Sequence, residues 1–357
     1  MRASLRAQVV PRLLVLLAGT VLGMLLLVVL LRSVNLSQLG SDFSTVDYRY
    51  MGLAVLPFVL NLLLKVPRWA LLFGEDAPGW DTLFGGMNVG YATNSLLPLR
   101  LGEVVRAYWI RDRGHISMVR TLSTIALERV TDGVTLLILF LLMVPTVALP
   151  ARLVGPALLV GVLFITALLV MIWLVHTLSS RQDSRLAVVL RRLETGKWSL
   201  VSRALRQVVM GLQALRSRRR VALLVIYTLL IWASNSLLIW LVLRAFHIKA
   251  PLTAGILLTA VLNLGMSVPS SPGYLGVFDF LMVLTLGLYG VHRTPALAAT
   301  LAFHAIAFVP VTIIGLVYIV RSGLQVSLEM VRSSASKSTS PKPADPEGAQ
   351  GPAYKGE

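Results

Sequence analysis

The string Asn94-Ser95-Leu96-Leu97-Pro98-Leu99-Arg100-Leu101-Gly102-Glu103-Val104-Val105-Arg106 concentrates the most chemistry in the fewest residues. Pro98 drives Leu97 away from helical backbone angles, and Gly102 permits a close backbone approach. Glu103 and Arg106 stand three apart, so on a helix they share a face and can pair. Arg100 and Arg106 carry planar donors suited to phosphate oxygens. The competing reading makes them interface cations that reach for water. A second group is Glu128-Arg129 with Asp132, which places two carboxylates four residues apart on one helical face. Charges within an apolar segment mark a pathway or a buried pair, for instance Glu128 with Arg100 or Arg106. If the apolar core starts only at Val134, all three are interfacial. A third group is Pro269-Ser270-Ser271-Pro272-Gly273-Tyr274-Leu275-Gly276, with Asp279 just beyond. Its prolines and glycines free carbonyls and amides that can bind a polar headgroup. Asp279 is suited to pairing with a cation or carrying a proton. His304, alone in an apolar stretch, reads as a hydrogen-bonded structural residue.

These strings must be positioned by helices in a bilayer. Of 357 residues, 56% are hydrophobic and 14% are charged, against about 25% charged in an average soluble domain. The apolar residues come in long runs, which is the signature of membrane spans. Leu13–Leu31 follows Arg2, Arg6 and Arg12 and is longer than the apolar core of a signal peptide. It reads as a retained first span. Further spans are expected at about Tyr50–Leu64, ended by Lys65 and Arg68 as snorkelling cations, and at Val119–Met143, Leu153–Val175, Val221–Val242 and Pro295–Val320. Two stretches do not fit a simple span. Thr82–Arg113 is broken by Gly85, Gly86, Gly90, Pro98 and Gly102, and Leu252–Leu288 is broken at Pro269–Gly276. Each reads as two half-helices that fold in and return on one side.

The fold class is therefore all-α, a polytopic transmembrane bundle of about six full spans plus two broken re-entrant hairpins. Loop charge sets the expected orientation. Segment 181–220 has eleven Arg or Lys against Asp183 and Glu194, so the positive-inside rule places it in the cytoplasm. Its apolar residues recur at helical spacing, as in an amphipathic helix lying on anionic headgroups; a solvated loop is the alternative. Counting from this segment puts both termini and 65–81 inside, with 32–49, 144–152 and 244–251 outside. The hairpins then enter from opposite faces, the pattern of an inverted-repeat transporter. The transmembrane domain covers 1–325. The Ser/Pro/Lys-rich tail, 326–357, reads as disordered and cytoplasmic.

Several functions are not supported. The net charge of +17 is explained by cytoplasmic loops facing anionic lipid, and no aromatic-rich basic domain exists to read nucleic acid. There is no cysteine. His115, His176, His247, His292 and His304 form no metal-binding spacing. No cofactor, phosphate-binding loop or nucleophile elbow is expected.

The strings Asn94…Leu97-Pro98…Arg100…Gly102-Glu103…Arg106, Glu128-Arg129…Asp132 and Pro269…Pro272-Gly273…Gly276…Asp279 resemble the flippase-like family, the lysylphosphatidylglycerol synthase transmembrane-region family. The resemblance covers about residues 10–325. That family includes the membrane half of the multiple peptide resistance factor, which moves aminoacylated phosphatidylglycerol between leaflets. It also includes stand-alone members linked to polyprenyl-phosphate sugars and to hopanoid lipids. The chain departs from the family pattern in having Asp279 where Glu is usual and His304 where an Arg is common. No aminoacyltransferase domain follows residue 325, so this chain alone is not expected to make lysyl-lipid.

The resemblance implies a protein of the cell membrane that translocates or handles a lipid, and not an enzyme. The substrate-binding residues expected are Asn94, Pro98, Arg100, Gly102, Glu103, Arg106, Glu128, Arg129, Asp132, Pro269, Pro272, Gly273, Gly276 and Asp279. Arg100 and Arg106 would hold a lipid phosphate, and Glu103, Glu128 and Asp132 would balance them or bind an aminoacyl cation. Expected partners are the lipid substrate, anionic inner-leaflet headgroups along 181–220, and a lipid-synthesising enzyme or a second copy of the chain. Two rivals remain. One is a membrane enzyme acting on a lipid phosphate, with Glu128 or Asp132 as base. The other is an accessory subunit docking a partner through 181–220.

Overall fold

A computed structural model describes residues 21, 23–96, 101–147, 155, 159, 161–171, 173, 207, 208, 210, 217–266 and 271–338. The segment 181–206, parts of the expected spans Leu13–Leu31 and Leu153–Val175, and residues 339–357 of the expected tail lie outside them. Among the described residues all regular structure is helical. Helices α1 (Gly23–Arg32) and α2 (Leu36–Ser44) precede the long α3 (Tyr48–Phe73). Helices α4 (Trp80–Leu96), α5 (Gly102–Gly114) and α6 (Met118–Met143) follow. After α7 (Gly161–Met171) come α8 (Arg218–Ala245), α9 (Leu252–Gly265), α10 (Val277–Gly287) and α11 (Arg293–Ser338).

Contacts divide the chain into a body, 1–316, and a C-terminal unit, 317–357. Helix α11 begins in the body. The residues from 317 to Ser338 continue as helix, past the point where the sequence suggests an unstructured tail.

Among the described residues, three stretches are each long and apolar enough to cross a bilayer: Tyr48–Asp76, Arg218–Ala245 and Arg293–Gly323. Helix α6 has 26 residues, about 39 Å at 1.5 Å each, but it carries Arg120, Glu128, Arg129 and Asp132. Leu53, Leu56 and Leu60 of α3 and Val225, Ile226 and Leu229 of α8 face outward. Arg68, Arg106, Glu128 and Asp132 are buried. Apolar outside and charged inside is what a lipid solvent selects.

The second expected span is longer than its apolar run. Helix α3 continues through Pro67 to Phe73 and takes Arg68 into the interior, so the snorkelling role expected for Arg68 is overturned. Its backbone bonds stay within the helix, and two carboxylates on α6 offset the charge.

Two packed helix pairs stand where the broken hairpins are expected. Helices α4 and α5 pack tightly along Gly90 and Gly102. A Cβ on Gly102 would collide with the Gly90 carbonyl and stand 2.6 Å from Asn94 Oδ1. Trp109 of α5 donates its indole N–H to the Thr82 carbonyl at 3.1 Å. Helices α9 and α10 form the other hairpin. The order long span, hairpin, long helix occurs twice, as α3, α4–α5, α6 and as α8, α9–α10, α11. Packing between the halves is reciprocal. The first hairpin meets the last helix where Gly315 abuts Asn88 and Ala92. The second hairpin meets α6, where Leu257 and Ala260 pack on Phe140. Helices α3 and α8 join the halves, and Asn61 Nδ2 donates to the Ile231 carbonyl at 2.7 Å.

The connections gather in two groups. In one, the Asp47 N–H donates to the Ala245 carbonyl at 2.9 Å, and Phe43 packs edge-on against Phe246. Val147 and Tyr289 pack against a common cluster nearby. In the other, Arg120 donates to Asp76 at 2.8 Å and Arg220 lies 3.5 Å from Glu75. These groups match the division of loops expected from charge.

Candidate functional site

The site begins with what Arg68 requires. A guanidinium is always charged and has five donors, and here it is 3% exposed. It pairs with Asp132 and, at 3.2 Å, with Glu128. Arg106, from the first turns of α5, meets the other Glu128 oxygen at 2.9 Å. Its guanidinium also stacks 3.5 Å over the Trp69 ring, and the Trp69 indole N–H donates to Thr124 Oγ1 at 3.1 Å. Arg129 donates from Nε to Glu103 at 3.1 Å. The spacing of four residues puts Glu128 and Asp132 on one face of α6, as expected, and that face is interior rather than interfacial.

One expected pair is not formed. Glu103 and Arg106 share a face of α5, yet each pairs with α6 instead. Helix α6 can present a carboxylate end-on to the buried Arg106, which a neighbour on the same helix cannot match. Arg106, expected to face a phosphate, therefore faces Glu128 and Trp69.

Beside this network lies a cavity of about 210 Å³, far above the roughly 10–15 Å³ that admits one water. Helix α3 lines it with Asn61 and Lys65, α4 with Tyr91, Asn94 and Ser95, and α6 with Glu128, Arg129 and Asp132. Trp232 and Asn235 of α8, Asn263 and Met266 of α9, Tyr274, and Phe303 and Phe308 of α11 also line it, and Phe58, Leu62, Leu238, Leu262, Phe278, Ala307 and Val311 add an apolar wall. The end of α4 and the loop before α10 meet here. The Ser95 carbonyl lies 3.4 Å from where a Cβ on Gly273 would stand.

Each break is held by a short side chain. Asn94 Oδ1 accepts from the Gly102 N–H at 2.8 Å and so ties the end of α4 to the start of α5. Asp279 Oδ2 accepts from the Gly276 N–H at 2.9 Å at the start of α10. Gly276 has φ +82, a conformation that disfavours a side chain. His304 Nε2 lies 3.0 Å from the Gly273 carbonyl, and Nδ1 lies 3.3 Å from Asp279 Oδ1. With Nε2 donating to a carbonyl, a hydrogen bond at Nδ1 needs a second proton, on the ring or on the carboxyl group.

Of the expected site residues, Asn94, Glu128, Arg129 and Asp132 line the cavity, and Glu103 and Arg106 stand behind them in the ion network. Gly102 backs Asn94. Pro272, Gly273 and Gly276 shape the loop that presents Tyr274, while Asp279 is fully buried in its capping contact. Pro98, Arg100 and Pro269 lie outside the described residues. Sequence reasoning missed Asn61, Lys65, Tyr91, Trp232, Asn235 and Asn263. The signal for three of them was an amide inside an apolar run, which needs a partner at that depth.

A helical bundle with apolar outer faces, an interior ion network and an internal cavity lined by charged, amide and apolar side chains defines a multi-pass integral membrane protein. The chain belongs to the family of the lysylphosphatidylglycerol synthase TM region, whose model matches residues 15–315. It is similar to a UPF0104 membrane protein of Methanothermobacter thermautotrophicus, 24% identical over 330 residues, covering 87% of this chain and 96% of the relative. It is also similar to a UPF0104 membrane protein of Pyrococcus horikoshii, 21% identical over 330 residues, covering 85% and 96%. No solved structure matches the chain.

Proposed function

We propose that this protein moves a lipid headgroup between leaflets of the cell membrane through the cavity between the two hairpin breaks, and is not an enzyme. The observation that carries the reading is the cavity itself. It carries charged and amide side chains among apolar ones, lies within a body whose outer faces are apolar, and is bordered by the last turn of α4 and by the loop that presents Tyr274 before α10. Irregular backbone at membrane depth is tolerated where it lines a wet cavity. The recurring element order and reciprocal packing support an inverted repeat, whose halves would rock to expose the cavity to each leaflet in turn. Acyl chains would stay in lipid while the headgroup crosses. Both termini would be cytoplasmic, with 181–220 resting on anionic headgroups. A lipid-synthesising enzyme would supply or consume the cargo. The family name supports a phospholipid or aminoacyl-phospholipid over other cargo.

The test is leaflet exchange of fluorescent phosphatidylglycerol in liposomes, comparing protein-free vesicles, wild type and Asn235→Trp, which fills the cavity. Faster exchange with wild type, slowed at least several-fold in the variant with helicity intact by circular dichroism, is the expected result. Equal exchange in all three overturns it in favour of an enzyme or an accessory subunit.

A further inference from the structure

Among the described residues the ion network balances its own charges, and this isolates one cation. Glu103, Glu128 and Asp132 pair with Arg68, Arg106 and Arg129. Lys65 stands at the same cavity, one helical turn before Arg68 on the chain. It has no ion-pair partner among the described residues and rests its ammonium 5.1 Å from the Tyr91 ring centroid. Among the described residues the network and Lys65 together thus carry four cations against three carboxylates. Lys65 is half-buried, and a partly desolvated charge gains from a counterion.

A second observation points the same way. Trp232, 9% exposed, lines the cavity, and its indole N–H has no acceptor among the described residues. Indole nitrogen can only donate, and so can an ammonium. Two donors without acceptors, one of them charged, call for a ligand that brings anionic oxygens.

We propose that the cavity binds an anionic oxygen group, the phosphate of a phosphodiester headgroup, anchored by Lys65 and the Trp232 indole N–H. This deepens the lipid-transport reading and rests on it. It also moves the anchor from Arg106, which Glu128 already holds, to Lys65. The network becomes the scaffold that keeps α3, α5 and α6 in register around the cavity. Lys65 rather than an arginine suits a carrier, because a single point charge on a flexible stem can release its ligand.

The test is titration of purified protein with dioctanoyl phosphatidylglycerol, followed by fluorescence, with dioctanoylglycerol and inorganic phosphate as separate probes. Phosphatidylglycerol binds saturably, and dioctanoylglycerol does not. Lys65→Gln weakens binding about tenfold or more, as expected for a charge-assisted hydrogen bond, while Lys65→Arg stays near wild type. Trp232→Phe weakens it less, read by competition with a labelled lipid. Inorganic phosphate that competes at similar concentration makes the ligand a free anion and overturns the lipid source. Unchanged binding in Lys65→Gln, with unaltered thermal stability, overturns the anchor. If Lys65→Gln still exchanges lipid in liposomes, the transport reading stands and only the anchor falls. If wild type binds the soluble lipid through Lys65 but exchanges none, the anchor stands and transport falls.

Discussion

Glu128 holds two arginines at once, one on each carboxylate oxygen, at 4% exposure. Removing it leaves Arg68 with Asp132 alone and Arg106 with only the Trp69 face. Breaking a buried pair from one side is strongly destabilising, by about 3–5 kcal/mol, because the remaining charge stays buried. Glu128→Ala should therefore lose stability on that order in detergent, measured by thermal unfolding. Asp132→Ala should lose less, because Arg68 keeps Glu128. Equal melting of both variants and wild type would show the network to be dispensable. The residue-scale lesson is one of partners. The charged strings on α5 and α6 were legible from residue type and spacing. Arg68 was not, because its apolar neighbours made it look like the end of a span.

At the scale of elements, each hairpin depends on backbone approaching backbone. Gly102 and Gly90 let α4 and α5 touch, and any side chain at 102 meets the Gly90 carbonyl and Asn94. Gly102→Ala should cost about 1–3 kcal/mol by overpacking and lower the yield of monodisperse protein. Gly52→Ala is the control, since nothing lies within 4 Å of a Cβ there. Equal yield and melting for the two variants would mean that α4 and α5 yield easily. The breaks themselves were legible, because Pro and Gly interrupt apolar runs. What was hidden is that the end of α4 meets the loop before α10, Ser95 against Gly273. Sequence carries no trace of contact between segments so far apart when neither bears a repeat motif.

For the whole molecule, the two groups of connections supply a sidedness test. The chain has no cysteine, so single cysteines report without background. Ser44 and Gly79 are both exposed and belong to opposite groups. In intact cells, a membrane-impermeant maleimide should label Ser44→Cys, and Gly79→Cys only after lysis. Labelling of both from outside, or the reverse order, would overturn the proposed orientation. The expectation follows from Lys and Arg collecting on the cytoplasmic side, and segment 181–220 dominates that count.

Composition and run length by themselves determined that this is a helical membrane protein, and Pro and Gly determined where its two hairpins break. Those properties are local: a bilayer demands continuous apolar helix, and a break in it is written in the residues at the break. Residue spacing also determined that Glu128 and Asp132 look the same way. Only the tertiary structure decided what they look at. Arg68 and Asp132 are 64 residues apart in sequence, and Arg106 and Glu128 are 22 apart. A helix fixes the direction of a side chain, but the packing of neighbouring helices fixes what stands opposite. The same packing turned Arg106 from a ligand candidate into a strut, and left Lys65 facing the cavity.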